Sequence, residues 1–139
     1  MVDGPTLAYF GGLIDGDGYF KITKNFRTPR IKHPYYANVL GLAQLWPGPA
    51  VHEFARTFGG ETKPTRTRRG NLMARCELRG RIAAGAARRL VPFLLIKRNQ
   101  ALLFLEAVRI RPSRRGRTLA SERGHERVET IAQALIAVQ

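Results

Sequence analysis

The sequence predicts an α+β fold in which helices cover one face of a four-stranded antiparallel sheet and leave the other face open. Helical and strand-like hydrophobic periods alternate as helix, two strands, helix, two strands, helices, so the same αββα unit occurs twice. Glycine or proline stands at most boundaries between these segments. The length of 139 residues, 44% of them hydrophobic, suits a single compact domain spanning residues 1–139.

The first helix is predicted over about residues 5–17. The run Asp3-Gly4-Pro5-Thr6 supplies helix-start chemistry, because proline fixes the first-turn φ angle, and Gly18 ends the helix. The strand Tyr19–Phe26 follows, and its phenylalanine and isoleucine side chains alternate with polar ones. One face of this strand is therefore expected to meet the core while the other offers polar groups.

The second strand is predicted from Tyr35 to about Gln44, after a basic hairpin tip at Arg27–Pro34. Its two faces are less distinct, because every second residue from Ala37 to Ala43 is small or apolar. That alternate face either joins the core or meets apolar groups of a ligand. The run Trp46–Pro49 breaks the strand, and a short amphipathic helix is expected at Ala50–Phe58.

The second hairpin is predicted from strands at Glu61–Arg69 and Asn71–Leu78, with Gly70 in the turn. Alternate residues of the second strand, from Leu72 to Leu78, form its inward face and include the single cysteine, Cys76. A register shift of one residue would exchange the inward and outward sets. The outward positions of this hairpin are heavily basic.

The rest of the chain is predicted to be helical. Two helices, Ala83–Leu90 and Phe93–Ile110, are divided at Pro92. A basic linker, Arg111–Arg117, leads to a last helix over about residues 121–138, which Ser121 caps.

The formal net charge of +14 indicates a polyanionic partner, because that much self-repulsion weakens a compact state unless a polyanion is nearby. Nucleic acid is the natural candidate. No apolar run reaches the roughly 20 residues needed to cross a bilayer, and Met1–Pro5 lacks the features of a secretory signal. We therefore expect no membrane partner, no small-molecule substrate, and an intracellular location with DNA, in a prokaryotic cytoplasm or an organelle.

Two adjacent glycines, Gly11 and Gly12, stand inside the first helix, where each costs about 1 kcal/mol relative to alanine. Close packing is the expected compensation. Ala8, Gly12 and Gly16 fall at a spacing of four and share one face, which makes a strip of small residues along which a second helix could approach.

Asp15 and Asp17 lie at the end of this helix, where free carbonyls and the helix dipole make a carboxylate unfavourable. A bound cation would reverse that penalty. Ligation by carboxylate, carbonyl and water oxygens is what Mg²⁺ prefers, because it retains several waters and takes few protein ligands. On its own, however, the tetrapeptide Asp15–Gly18 is also compatible with a simple polar turn.

In its context, the run Phe10-Gly11-Gly12-Leu13-Ile14-Asp15-Gly16-Asp17-Gly18 resembles the signature of the LAGLIDADG homing endonucleases. It departs from that signature at Phe10 and Gly11, where leucine and alanine are usual. The αββαββα order also matches this family, and Val91–Ala101 is similar to the family segment that bears a lysine in the catalytic pocket. The resemblance covers roughly residues 5–110.

The resemblance implies a site-specific DNA endonuclease that makes a metal-dependent double-strand break. Because the chain carries one motif, two chains must meet as a homodimer on a long, near-palindromic target. Asp17 and the Gly16 carbonyl are then the metal ligands, and Gln44 and Lys97 complete the catalytic set with Asp17. Mg²⁺ is the expected ion, with Mn²⁺ or Ca²⁺ able to substitute for binding. The implied dimer interface consists of Ala8, Gly11, Gly12, Asp15 and Gly16, with Asp15 also structural.

DNA contacts are expected from the open sheet face and its hairpin tips. The candidate residues are basic or polar and lie at outward or tip positions: Lys21, Thr23, Asn25, Arg27, Arg30, Lys32, Arg66, Arg68, Arg69 and Arg75.

The sequence is also compatible with two other functions. One is a LAGLIDADG-derived RNA-splicing maturase or DNA-binding regulator that does not cleave. The other is a basic RNA-binding structural protein outside this family. Retention of Asp17 and Lys97 favours the nuclease over the first alternative.

Overall fold

The computed structural model describes residues 2–25, 35–110 and 119–138, and its elements occur in the predicted order. The predicted hairpin tip and basic linker lie outside these ranges. The elements are α1 (Gly4–Asp17), β1 (Gly18–Asn25), β2 (Tyr35–Leu45), α2 (Pro49–Phe58), β3 (Thr62–Arg66), β4 (Leu72–Arg79), α3 (Gly80–Leu90), one turn of 3₁₀ helix (Val91–Phe93), α4 (Arg98–Ile110) and α5 (Leu119–Ala137).

The four strands form one antiparallel sheet in the order β1-β2-β4-β3. Phe20, Leu40 and Leu78 lie side by side across the three longest strands and are fully or almost fully buried. The helices pack on this side, where the Phe104 ring of α4 lies 5.3 Å from the Phe20 ring, centroid to centroid. The predicted α+β fold, with helices on one face of the sheet, is therefore confirmed.

The apolar alternate face of β2, left open by the sequence, lies on the side of the sheet away from the helices. Gly41 is paired with Tyr19 of β1, and Val39 is paired with Lys21. Both β2 residues are nevertheless buried, and Val39 has no exposed surface. The middle of this row is therefore covered by longer neighbouring side chains, whereas Ala37 and Ala43 at its ends are partly exposed.

The second hairpin is shorter than predicted at its first strand. β3 ends at Arg66, because residues Thr67 to Gly70 turn back on themselves, with the Gly70 N–H donating to the Thr67 carbonyl at 2.9 Å. In β4, Ala74, Cys76 and Leu78 are buried as the alternation predicted.

Two helix starts also differ from prediction. α3 begins at Gly80, and α5 begins at Leu119, ahead of the predicted cap at Ser121.

The predicted helix Phe93–Ile110 is wrong in its first five residues. Phe93 closes the 3₁₀ turn, and α4 begins only at Arg98. The intervening segment, Leu94–Lys97, donates three backbone N–H groups to the carboxylate of Asp15. A local period of apolar residues cannot reveal this contact, because the acceptor lies some 80 residues earlier in the chain.

The last helix, α5, packs its apolar side on the core through the predicted spacing, with Val128, Ile131, Ala132 and Leu135 all buried. Its Glu129 accepts a hydrogen bond from the Tyr36 hydroxyl at 3.0 Å, which ties the helix to β2. Within the described parts of the chain, no helix combines the length and apolar content needed to span a membrane.

Candidate active site

The candidate site lies where α1 runs directly into β1. Asp17 is the last residue of the helix and Gly18 is the first residue of the strand, so no loop separates them. The Asp17 side chain is exposed, and its Oδ2 accepts a hydrogen bond from Gln44 Nε2 at 3.0 Å. Gln44 reaches it from β2, which is hydrogen-bonded to β1.

Lys97 joins the same corner from the segment that precedes α4. Its Nζ donates to the Gly18 carbonyl. Partial burial lowers the pKa of Lys97, and the nearby charges of Asp15 and Asp17 oppose that shift without cancelling it. Asp17, Gln44 and Lys97, the three residues predicted to be catalytic, therefore converge from three distant parts of the chain.

Asp15 holds Lys97 in place. Its carboxylate accepts the backbone N–H groups of Leu95 at 2.8 Å, Ile96 at 3.2 Å and Lys97 at 2.9 Å. These donors precede α4 and have no helical partner, so the carboxylate supplies their acceptors. The Asp15 side chain is thus engaged within its own chain, although it was also predicted at a dimer interface.

The two adjacent glycines of α1 face different surroundings. A Cβ on Gly12 or Gly16 would meet nothing within 4 Å, and both residues are exposed, as is Ala8. A Cβ on Gly11 would lie 2.8 Å from the Phe93 Cβ. Gly11 therefore packs against its own chain and is buried, although it was also predicted at the dimer interface. We call Ala8, Gly12 and Gly16 the small-residue strip.

The predicted DNA-contacting residues separate into three groups. Lys21, Thr23 and Arg75 lie on the open face of the sheet, by their register with β2. Arg66 takes the opposite, helix-side register and donates to the Gly70 carbonyl within the hairpin at 3.0 Å. The remaining residues are placed as follows: Arg68 and Arg69 are exposed in the turn, Asn25 ends β1, and Arg27, Arg30 and Lys32 lie outside the described residues.

The predicted DNA contacts omit several side chains that lie on the open face. Tyr19, Lys63, Glu77 and Arg79 also have the open-face register. The signal was available in β4, where alternation places Glu77 and Arg79 on the same side as Arg75.

Neither a protein-family model nor a curated protein matches this sequence. Solved structures do match it. Over 90% of this chain and 93% of the other, it superposes on the homing endonuclease I-CvuI, in complex with the I-CreI target, with a TM-score of 0.63 and 18% identity. The homing endonuclease I-TnaI gives 0.69 and 16% identity, over 93% of this chain and 86% of that one.

The chain has the LAGLIDADG homing endonuclease fold. The LAGLIDADG homing endonuclease I-GzeII, in complex with its DNA target, matches with a TM-score of 0.73 and 12% identity. That match covers 93% of this chain but only 44% of I-GzeII. The chain therefore matches less than half of the length of I-GzeII.

The donor set at the end of the LAGLIDADG helix suits a hard cation that takes few protein ligands. Asp17 is exposed, and Gln44 engages only its Oδ2. The described ranges contain no group of three or more His, Cys, Asp or Glu residues that could hold a metal ion. One chain thus offers a carboxylate and neighbouring carbonyls, which fits an ion such as Mg²⁺ whose other ligands are water and phosphate. It does not offer a closed cage.

Proposed function

We propose that this chain is a LAGLIDADG homing endonuclease that acts as a homodimer and makes a metal-dependent double-strand break in a long, near-palindromic DNA target. The observation that carries the proposal is the convergence of Asp17, Gln44 and Lys97 at the exposed end of α1. The DNA complexes of I-CvuI and I-GzeII support a DNA substrate for this fold. The net charge of +14 supports a polyanionic partner within the cell.

The proposed homodimer is supported by the exposed surface along α1. The small-residue strip is open to solvent and permits a second helix to approach closely. Exposed apolar side chains lie beside it, with Tyr9 54%, Leu95 84% and Ile96 75% exposed. Such a patch on a soluble surface is typical of a protein interface. A twofold axis along this strip would bring two Asp17 side chains together.

The chemistry assigned to this corner is hydrolysis of a phosphodiester. A divalent ion bound there would supply Lewis-acid activation of water and neutralise charge on the phosphate oxygens. Asp17 and the Gly16 carbonyl would hold it. Gln44 fixes the orientation of the Asp17 carboxylate through its hydrogen bond. Asp15 and Gly18 hold Lys97 at this corner, where its charge would stabilise the negative charge that develops in the transition state.

Mg²⁺ is the proposed ion, with Mn²⁺ or Ca²⁺ able to support binding. I-CvuI has been crystallised with the I-CreI target in the presence of Mg, where the DNA was not cleaved, and with its own target in the presence of Ca. Two Asp17 carboxylates near one axis would repel each other without cations, so metal binding and dimer geometry should be coupled.

The proposal is tested by selecting cleaved sites from a randomised duplex library in Mg²⁺. A near-palindromic consensus and linearisation of a plasmid that carries it are expected. Asp17→Asn should bind that site in Ca²⁺ but not cut it in Mg²⁺. A protein that binds a selected site and never cuts it would instead support the non-cleaving regulator or maturase. Normal cleavage by the Asp17 variant would refute the assigned metal site.

A further inference from the structure

The open face of the sheet contains an acid where a DNA-binding surface should be basic. Glu77 is the only acidic residue among the described positions whose strand register places them on this face. It lies directly across Gly41 from Tyr19, in the middle of the sheet. A carboxylate at this position repels phosphate, so its presence requires a reason other than affinity for a polyanion.

Glu77 is fully engaged by its neighbours. Its Oε2 accepts from the Tyr19 hydroxyl at 2.7 Å and pairs with Lys21 Nζ at 2.9 Å, while its Oε1 pairs with Arg79 Nη2 at 3.1 Å. The side chain is only 19% exposed. Burial alone would raise the pKa of Glu77, but the hydrogen bonds from Lys21 and Tyr19 and the charges of Lys21 and Arg79 together outweigh burial and lower it. The carboxylate is therefore ionised and held at three points.

Tyr19 extends this network to Arg75. Arg75 Nη1 donates to the Tyr19 hydroxyl at 3.0 Å. The Tyr19 ring also contacts both cations, with Lys21 Nζ 5.3 Å and the Arg75 guanidinium carbon 5.8 Å from its centroid. The ring lies over Gly41, where a Cβ would be 2.1 Å from Tyr19 Cζ. Glycine at position 41 is thus required for the tyrosine to span β2 and reach Glu77.

The network weakens the attraction of this surface for phosphate and holds its basic side chains in fixed positions. Long basic side chains that are free lose rotamer entropy when they bind, and a prearranged set loses less. Ion pairing with Glu77 also makes Lys21 and Arg79 less available to bind any nearby phosphate. Both effects favour recognition of one sequence over general adhesion to DNA.

We propose that Glu77 is a positioning residue for sequence recognition: it fixes Lys21 and Arg79 directly, and Arg75 through Tyr19, toward the base edges of one short segment of the target. The inference rests on the proposed function, because it requires the open face to meet DNA. Beyond that function, discrimination between base pairs in this segment depends on Glu77, an acid that does not contact phosphate.

The chain contains a matched control on the opposite side of the sheet. Glu129 of α5 also accepts from a tyrosine hydroxyl, that of Tyr36, at 3.0 Å, and also pairs with a lysine, Lys24, at 3.3 Å. Glu129→Gln therefore makes the same charge change in a similar network that faces the helices. Glu77→Gln and Glu129→Gln can be compared directly.

The first experiment selects bound sequences from a randomised duplex library in Ca²⁺ for the wild type and both variants. Glu77→Gln should reduce preference at one or two neighbouring base pairs by about tenfold, which is the discrimination carried by one good base contact. Preference elsewhere in the site should be retained. Glu129→Gln should select the wild-type consensus throughout.

The second experiment measures binding to one fixed duplex of random sequence. In Glu77→Gln, Lys21 or Arg79 is free to contact phosphate. Each new contact should tighten binding to this duplex by about eightfold near 0.1 M salt. It should also steepen the slope of log K against log salt concentration by about 0.9. Tyr19→Phe changes no charge and keeps the ring over Gly41. It should weaken preference at the same base pairs without tightening binding to random DNA.

Three outcomes are distinguishable. If wild-type protein binds no duplex at all, the proposed function fails and the inference fails with it. If it binds a defined sequence and Glu77→Gln keeps the full consensus, the proposed function stands and the inference is overturned. Equal changes in Glu77→Gln and Glu129→Gln would also overturn it, because a general charge effect would then suffice.

Discussion

Replacing each of the two adjacent glycines of α1 with alanine should have opposite effects on stability. Alanine in a helix interior is about 1 kcal/mol more favourable than glycine. At Gly12 the added Cβ would meet nothing within 4 Å, so the full gain is expected. At Gly11 it would lie 2.8 Å from the Phe93 Cβ and 2.9 Å from the Phe93 carbonyl oxygen. Neither atom is the end of a flexible side chain, so the 3₁₀ turn must move.

Overpacking of this kind costs about 1–3 kcal/mol, and the helix propensity of alanine returns about 1 kcal/mol. We therefore expect Gly11→Ala to lower the free energy of unfolding by about 1 kcal/mol and Gly12→Ala to raise it by a similar amount. The difference between two neighbouring substitutions of identical chemistry should be about 2 kcal/mol.

Urea denaturation at protein concentrations below the dimer dissociation constant measures this difference without a contribution from association. Sedimentation at higher concentrations measures the second consequence, because a methyl group on the small-residue strip should weaken the dimer in Gly12→Ala alone. A stabilised Gly11→Ala would refute the packing assigned to Phe93. A Gly12→Ala dimer as tight as the wild type would refute the assigned helix contact.

Three further predictions concern the site and the helix layer. Asp15→Ala removes the acceptor of three N–H groups, and water can replace two of these hydrogen bonds because they are exposed. We therefore expect urea denaturation to show a free energy of unfolding lower by about 2 kcal/mol, and we expect cleavage to be lost. Lys97→Met should retain Ca²⁺-dependent DNA binding in a mobility-shift assay and lose Mg²⁺-dependent cleavage, and wild-type cleavage by this variant would contradict the role of Lys97. Burial and Glu129 raise the pKa of Tyr36 from 10.0 to about 12, so the folded state holds this proton more tightly and stability should fall as pH rises through that interval. Tyr36→Phe should reduce that fall in urea titrations, and an unchanged pH dependence would count against the raised pKa of Tyr36.

The strand and helix order could be predicted because each element carries its own local signal. Asp3 does cap α1, accepting from the Thr6 N–H at 2.8 Å, and the alternation in β4 correctly placed Ala74, Cys76 and Leu78 inside. These features depend on residues only a few positions apart. Period and capping therefore suffice to predict them.

Contacts between distant segments could not be predicted in the same way. The segment Leu94–Lys97 is apolar enough to read as helix, and only the folded arrangement brings Asp15 to its N–H groups. The Tyr19–Glu77 contact similarly requires the pairing of β2 with both β1 and β4. By contrast, the different environments of Gly11 and Gly12 follow from the helical period, because adjacent residues point about 100° apart.

The proposed function requires two copies of this chain to act together on one duplex, with their α1 helices side by side. Native mass spectrometry of the wild-type protein on its selected duplex in Ca²⁺ counts the bound chains. Two chains per full-length duplex are expected, with a marked loss of complex when half of the site is scrambled. A single chain bound to the full duplex, with both strands still cut when Mg²⁺ is supplied, would show that one copy is sufficient and that the proposed homodimer is wrong.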